Sequence, residues 1–255
     1  MTIRLETLDS VAIVTLDQPK IRNAMTADMR VELRGLLARL GADDTVHAAV
    51  LLGADGNFCA GGDVRTMGET DPVKIRERMT CVAETAIAVA TFPKPLIAAV
   101  AGHAAGAGVS VACLADMVVA EETATFTFSF LRLALGPDWG LTWSLARRVG
   151  ATQAKRLILT RAAIDGAQAY RLGLVDVLVP AGPARDKAIA VAKDLAHGPS
   201  AAISAIKGML SDEAGLRTAL ANEMAMQLDR FPHWEHQEGA AAFRDKRPAN
   251  YSQKA

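Results

Sequence analysis

Two short runs of small residues, each placed after an apolar segment, constrain the fold of this chain most strongly. The first run covers residues 58–64, and the second, about forty residues further on, covers residues 101–108. The apolar segments 48–52 and 95–100 precede them and are typical of buried strands. Each run therefore predicts a tight turn that leads from a strand towards a helix. Strands alternating with helices indicate an α/β fold with right-handed connections.

The small side chains of both turns leave the backbone N–H groups accessible. Free N–H groups at the start of a helix attract negative charge, and a pair of them can hold an oxyanion that develops during a reaction. Either run alone is also consistent with a plain tight turn. Two such runs with the same flanks favour a catalytic site.

Composition places limits on the domain count and on the partners. The 255 residues suffice for one large α/β domain, and 51% of them are apolar. Lys plus Arg equals Asp plus Glu, 28 each, so nucleic acid is not expected as a partner. A local basic cluster at Arg244, Lys246 and Arg247 could contact a phosphate or form a solvated face.

The cysteines and the N-terminus indicate a cytoplasmic protein. The chain has an odd number of cysteines, Cys59, Cys81 and Cys113, and no CxxC motif. This favours a reducing compartment. Residues 1–10 are unlike a signal peptide, and no apolar stretch reaches the length of a membrane span. We therefore expect no membrane association.

Periodicity predicts the flanking elements. Alternation at residues 3–5 and 11–15 predicts two opening strands, and residues 117–120 and 124–128 predict two more. Thr26 is a suitable N-cap for a helix over 27–40, and Asp71-Pro72 opens another that runs to about Ala90. A further helix is expected at 141–149. From Ser200 onward the pattern predicts helices only, over 201–210 and 213–231, with Ser211 or Asp212 as the cap of the second.

The order of several short motifs resembles the crotonase family, which is also called the enoyl-CoA hydratase/isomerase family. The resemblance covers nearly the whole chain, and its motifs are Gln18-Pro19-Lys20, Asn23-Ala24-Met25, 58–64, Lys94-Pro95 through Gly108, Ala115-Asp116, 145–150, 173–176 and 243–251.

The resemblance implies a fold and an assembly. It implies an α/β spiral of repeated β-β-α units over residues 1–198, carrying an acyl-CoA site, and a C-terminal helical oligomerisation region over 199–255. It also implies a homotrimer, often paired into a hexamer, and an acyl-CoA thioester substrate. No metal or redox cofactor is implied.

The resemblance also implies site residues. The two oxyanion donors map onto the N–H groups of Gly62 and Ala107. Lys246 is matched to a basic residue that reaches the CoA phosphate of a neighbouring subunit. Residues that would cradle the adenine and pantetheine parts of CoA are Ala24, Met25, Ala60, Gly62, Asp63 and Val64. For Asp63, capping of the following helix is an equal alternative.

The acid/base positions depart from the hydratase pattern. The two glutamates that hold water in hydratases fall on Ser110 and Phe130, neither of which can do carboxylate chemistry. Asp138 lies nearby, where an aspartate serves as base in isomerase members and as nucleophile in aryl-CoA dehalogenases. Between Pro137 and Trp139 an apolar pocket would raise its pKa. Asp138 could instead cap the helix at 141–149.

Enoyl-CoA isomerisation with Asp138 as acid/base is therefore the expected activity. Two alternatives remain: an acyl- or aryl-CoA hydrolase or dehalogenase with Asp138 as nucleophile, and a non-catalytic CoA-binding homologue. Other constellations are weaker. His233 and His236 are expected to form a surface pair and not a metal site. Residues 106–108 lack the third glycine of a dinucleotide fingerprint, and His103 with Ser110 lacks a hydrolase elbow.

Overall fold

A six-stranded sheet forms the centre of the computed structural model, which describes residues 1–252. Its strands lie in the order β1-β2-β3-β4-β6-β9, and only β1 and β2 pair antiparallel. A smaller sheet holds β5, β7 and β8. The strands are β1 (Ile3–Leu8), β2 (Val11–Leu16), β3 (Ala48–Gly53), β4 (Leu96–Val100), β5 (His103–Ala105), β6 (Met117–Glu121), β7 (Thr125–Thr127), β8 (Ala163–Asp165) and β9 (Val177–Val179).

Ten α-helices accompany these strands among the described residues. They are α1 (Ala27–Ala42), α2 (Pro72–Ala90), α3 (Ala107–Leu114), α4 (Leu141–Val149), α5 (Ala151–Leu159), α6 (Gly166–Arg171), α7 (Ala184–Ala196), α8 (Ser200–Leu210), α9 (Glu213–Arg230) and α10 (Trp234–Arg244). Short 3-10 helices occur at Pro19–Ile21, Val64–Thr66 and Phe130–Leu133.

Helices cover both faces of the central sheet, which explains why β2, β3 and β4 are apolar almost throughout. Alternate residues point to opposite faces and enter two separate cores. Ala12, Val14 and Leu51 join the larger core, which also contains apolar side chains of α1, α2 and α3. Val11 and Val50 join the smaller core under α7.

Most of the predicted elements are confirmed. Thr26 caps α1, since its hydroxyl oxygen accepts a hydrogen bond from the N–H of Met29 at 3.2 Å. Asp71 caps α2, and Asp212 caps α9. One detail of the first turn differs from the prediction. It leads into the 3-10 helix Val64–Thr66, and the long helix α2 begins only at Pro72.

Several motifs that carry the resemblance have a structural role. The guanidinium of Arg148 donates to the carbonyl oxygens of Cys113 at 3.1 Å and Ala115 at 2.6 Å, at the end of α3. It also forms an ion pair with Asp176 at 3.0 Å. Asp116 accepts a hydrogen bond from the N–H of Leu96 at 2.7 Å. These contacts tie α3, α4 and the parallel strands together behind the second turn.

The C-terminal helices divide into a covered and an uncovered part. Helix α9 packs on the rest of its own chain and buries Leu216 and Leu220. Helix α8 has no buried residue and leaves Ile206, Met209 and Leu210 exposed. The uncovered apolar surface of the C-terminal region therefore lies on α8. No helix among residues 1–252 is long and apolar enough to cross a membrane.

Candidate active site

The two small-residue turns lie against each other. The N–H of Cys59 donates to the carbonyl of His103 at 3.0 Å, and the N–H of Ala105 donates to the carbonyl of Cys59 at 2.9 Å. A β-carbon added at Gly61 would lie 2.9 Å from the carbonyl oxygen of Ala105, closer than side chains normally approach. The pairing therefore requires glycine at position 61, where φ is +108°.

The N–H groups of Gly62 and Ala107 are unused within the described chain. Ala107 is the first residue of α3, so its N–H has no partner inside the helix. Within residues 1–252, neither N–H donates a hydrogen bond to a carbonyl or side chain. A β-carbon at Gly61 would lie 3.9 Å from the nitrogen of Ala107, so the two turns are adjacent here. Such a pair of donors can accommodate a developing oxyanion.

Asp63 stabilises the first turn. Its Oδ1 accepts a hydrogen bond from the N–H of Arg65 at 3.0 Å, which caps the 3-10 helix Val64–Thr66. Its Oδ2 pairs with the Arg65 guanidinium at 2.8 Å. Hydrogen bonding to Arg65 holds the pKa of this carboxyl below its usual range. The capping role that the sequence left open is therefore present.

The residues expected to cradle CoA differ in accessibility. Ala60 and Val64 are exposed, whereas Ala24 is buried. Met25 is fully buried, and its N–H donates to the carbonyl of Gly61 at 2.7 Å. Met25 therefore contributes a backbone hydrogen bond to the first turn, and its place in the CoA cradle stays a prediction.

Ser110 and Phe130 both lie beside the second turn. The Ser110 hydroxyl is buried and donates to the carbonyl of Gly106 at 3.3 Å. Carbon Cε1 of Phe130 would lie 3.9 Å from a β-carbon at Gly106. The two positions thus border the predicted oxyanion site, and neither supplies a carboxylate.

Asp138 lies in the loop before α4, but its carboxyl does not cap that helix. Gly140 occupies the cap position. The carboxylate of Glu223, on α9, accepts hydrogen bonds from the N–H groups of Gly140 at 2.7 Å and Thr142 at 2.9 Å. It also accepts a bond from the Thr142 hydroxyl at 2.6 Å. Glu223 therefore satisfies the start of α4, and the capping alternative for Asp138 is wrong.

The surroundings of Asp138 raise the pKa of its carboxyl towards 7. Burial raises the pKa of this carboxyl from 3.8 to about 7, and the nearby charge of Glu223 adds to the increase. The guanidiniums of Arg78 and Arg30 oppose it. Within residues 1–252, no other residue donates a hydrogen bond to this carboxyl. A carboxyl with a pKa near 7 can both accept and return a proton at neutral pH.

Arg78 connects the first turn with Asp138. Its Nη2 would lie 3.5 Å from a β-carbon at Gly62, and its guanidinium stands 5.2 Å from the ring centroid of Phe231. Its Nη1 donates to the Thr66 hydroxyl at 2.8 Å. Helix α9 links Arg78 to the loop that carries Asp138, because Phe231 ends α9 and Gln227 on α9 donates to the carbonyl of Gly136 at 2.9 Å.

Three charged residues of this region were not predicted from the sequence: Arg30, Arg78 and Glu223. Arg30 gave a detectable signal, because it lies three residues before Leu33 and seven before Leu37 on the apolar stripe of α1. A charge on such a stripe is unusual. Glu223 and Arg78 gave no comparable signal.

The remaining candidates lie in the C-terminal region. Lys246 is exposed beyond α10. His236 is fully buried, with its Nδ1 at 2.7 Å from the carbonyl oxygen of Leu133. The prediction of a surface histidine pair is therefore wrong for His236. No cluster of potential metal ligands occurs in the part of the chain that the structure describes.

The sequence is similar to one protein family and to several named proteins. The model of the enoyl-CoA hydratase/isomerase family matches residues 6–254. A probable enoyl-CoA hydratase of Rhodobacter capsulatus is 36% identical, with 98% of each chain covered. A 2,3-dehydroadipyl-CoA hydratase of Escherichia coli is 32% identical, with 94% of each chain covered.

Solved structures also agree with the fold. The crystal structure of an enoyl-CoA hydratase from Mycobacterium avium subsp. paratuberculosis superposes with a TM-score of 0.90 at 27% identity, covering 99% of each chain. That of an enoyl-CoA hydratase from Bacillus halodurans gives 0.89 at 22% identity, covering 95% of this chain and all of that one, and shows the fold alone. The chain belongs to the enoyl-CoA hydratase/isomerase family and has the α/β crotonase fold. Membership implies an acyl-CoA substrate.

Proposed function

We propose that the protein is an enoyl-CoA isomerase that moves a double bond from the 3- to the 2-position of an acyl-CoA thioester. The N–H groups of Gly62 and Ala107 hold the thioester oxygen, and Asp138 removes a proton from C2 and returns it at C4. The dienolate between the two steps carries its charge on the oxygen. The observation that carries the proposal is the Asp138 carboxyl, which has a pKa of about 7 and does not cap α4.

The proposal departs from the names of the relatives, which are called hydratases. Adding water needs two carboxylates that orient and activate it, and the corresponding positions hold Ser110 and Phe130. Glu223 does not replace them, because its oxygens are engaged at the start of α4. Isomerisation needs one group that accepts and returns a proton, and Asp138 suffices for that.

A panel of thioesters tests the proposal. We expect the protein to convert 3-hexenoyl-CoA to 2-hexenoyl-CoA. Chromatography of the products measures this conversion. Under the same conditions we expect no hydration of crotonyl-CoA. Hydration of crotonyl-CoA as fast as isomerisation would contradict the proposal.

The same panel separates the alternatives. Benzoyl-type and 4-chlorobenzoyl-CoA thioesters detect a nucleophilic Asp138 through release of free acid or chloride. A basic and a nucleophilic Asp138 both need the ionised carboxylate, so the products of the panel, and not the pKa, separate the two roles. A non-catalytic CoA-binding protein would convert no member of the panel.

The pH dependence of the reaction is a further expected result. Asp138 must be ionised to take the first proton, so kcat/KM for isomerisation should rise with pH and level off above about 7. An unshifted aspartate would give a flat profile over this range, since its pKa is about 3.9. Initial rates between about pH 5 and 9 check this prediction. A flat profile would contradict a base with a pKa near 7.

The proposed substrate contacts and assembly follow the family. Ala60 and Val64 would border the CoA arm, and Lys246 would reach the CoA phosphate of a neighbouring subunit. Residues 199–255 would act as the oligomerisation region, since α8 exposes Ile206, Met209 and Leu210.

We expect light scattering at micromolar concentration to give three or six times the subunit mass of 26.9 kDa. The physical reason is the uncovered apolar face of α8. An Ile206→Glu variant should shift the mass towards that of one subunit, whereas Arg76→Glu on the surface of α2 should not. A parent protein of 26.9 kDa would contradict the prediction.

A further inference from the structure

One cavity beside the first turn contains two arginines without carboxylate partners. The cavity has a volume of about 680 Å³ and is bounded by α1, α2 and residues 65–69, with Phe231 also lining it. Two of its lining residues lie next to Gly62, because the Met67 methyl carbon and Nη2 of Arg78 would lie 3.8 and 3.5 Å from a β-carbon there. Arg30 and Arg78 both line it.

Arg30 is the more deeply placed of the two. Its residue exposure is 7%, and its Nη1 donates to the carbonyl of Met25 at 3.1 Å. Its Nε has no hydrogen-bond partner within residues 1–252, and no carboxylate of these residues lies within 4.0 Å of it. A buried cation is costly unless it is paired and hydrogen-bonded. This position is therefore prepared for an anion that comes from outside the chain.

Arg78 faces the same space from α2. It contacts Thr66 and the ring of Phe231 but forms no ion pair with a carboxylate of residues 1–252. Burial lowers the pKa of the Arg78 guanidinium and Arg30 adds to the decrease, whereas Asp138 and Asp63 oppose it. Both guanidiniums therefore line the cavity without an ion pair to a carboxylate of residues 1–252.

The acidic residues of the cavity lie at its rim and do not neutralise the pair. Asp28 and Glu77 are exposed, and Glu69 is within 3.7 Å of Lys74. Asp63, next to the cavity, is paired with Arg65. Glu223 is buried on α9 and engaged by Gly140 and Thr142. Asp138 lies beyond the 4.0 Å distance of an ion pair from both arginines.

We propose that this cavity receives acyl chains that end in a carboxylate, so that the substrates are CoA monothioesters of unsaturated dicarboxylic acids. The inference rests on the proposed function only in placing the thioester at Gly62 and Ala107. With the thioester there, the chain enters the cavity beside Gly62, and its distal carboxylate meets Arg30 and Arg78. Planar guanidiniums bind carboxylates with two parallel hydrogen bonds, which favours this chemistry over a neutral chain end.

Binding of saturated thioesters tests the inference without any turnover. Calorimetry compares hexanedioyl-CoA with hexanoyl-CoA, which differ only in the distal carboxylate, and includes CoA alone. The parent protein is expected to bind hexanedioyl-CoA more tightly by about tenfold or more, as a charge-assisted bond of this kind allows. Arg30→Met and Arg78→Met should each remove most of this preference and leave the affinity for CoA alone unchanged.

Arg76→Met is the matched control, since Arg76 lies on the exposed face of α2. It should keep the full preference. Thermal unfolding of each variant shows whether it folds. If Arg30→Met does not fold, Arg78→Met alone supplies the test. Equal affinities of the parent for the two thioesters would overturn the inference. So would a loss of affinity for CoA alone in Arg30→Met, because the anion would then be a CoA phosphate.

The outcomes of this test and of the isomerase assay are separable. A preference for hexanedioyl-CoA without isomerisation would retain the carboxylate site and reject the proposed reaction. Isomerisation of 3-hexenoyl-CoA without that preference would retain the proposed reaction and reject the carboxylate site.

Discussion

Replacing Asp138 with asparagine is expected to slow isomerisation of 3-hexenoyl-CoA by ~10²–10⁴-fold, the usual contribution of a general acid or base. The amide has nearly the shape of the carboxyl but cannot take a proton from C2. The affinity for saturated acyl-CoA should change little, because the oxyanion donors at Gly62 and Ala107 are backbone groups. Rates by product chromatography and affinities by calorimetry measure the two effects.

Stability separates a catalytic role of Asp138 from a structural one. The pKa of Asp138 in the folded protein, about 7, lies above its ordinary value of 3.8, so ionisation opposes folding. The free energy of unfolding of the parent therefore falls as pH rises between these two values. In the Asp138→Asn variant this decrease is absent, because the amide does not ionise. Above pH 7 the Asp138→Asn variant should be at least as stable as the parent.

Two further variants serve as controls for the rate and the stability of Asp138→Asn. Glu223→Ala should lose about 1–3 kcal/mol of stability, because it leaves the N–H groups of Gly140 and Thr142 unsatisfied. Asp44→Asn, at an exposed position, should change neither rate nor stability. If Asp138→Asn isomerises at the parent rate, Asp138 is not the base.

The sequence predicted the parts of this molecule that local pattern controls. The period of apolar residues and the caps Thr26 and Asp71 were sufficient for α1 and α2. The two small-residue turns predicted a shared site, because small residues at strand ends allow the close approach now seen between Gly61 and Ala105. The order of motifs added the fold, which local pattern alone did not contain.

The parts that were not predicted depend on contacts between distant segments. Glu223 comes from α9 and caps α4, a pairing separated by more than eighty residues in the chain. That contact decided whether Asp138 acts as a cap, and neither segment carries a signal of it. His236 was expected in a surface pair with His233, because no third residue at a suitable spacing predicted a metal site. It is buried beside Phe231, at 4.8 Å between ring centroids, because α10 packs over the segment that contains Leu133.

Replacing Gly61 with alanine is expected to reduce kcat by ~10²–10³-fold, comparable to the loss of an oxyanion donor. Gly61 has φ +108°, a conformation that L residues rarely adopt, and a methyl group would lie 2.9 Å from the carbonyl oxygen of Ala105. The first turn must therefore move away from the second. That movement displaces the N–H of Gly62 relative to the N–H of Ala107, so the two donors no longer meet at one oxygen.

Gly62→Ala is the matched substitution at the next position. Its φ is not in the left-handed region, and its methyl group would lie in ordinary contact, 3.5 Å from Nη2 of Arg78. We therefore expect thermal unfolding of Gly62→Ala close to that of the parent, whereas Gly61→Ala should lose roughly 1–3 kcal/mol through backbone strain. Rates and unfolding of the two variants, measured together, test the coupling of the turns. A Gly61→Ala variant with the parent's kcat would show that the two N–H groups do not act on one oxygen. The methyl group reaches the second turn only because the two turns pack as described, so an equal loss of stability in both variants would contradict that packing.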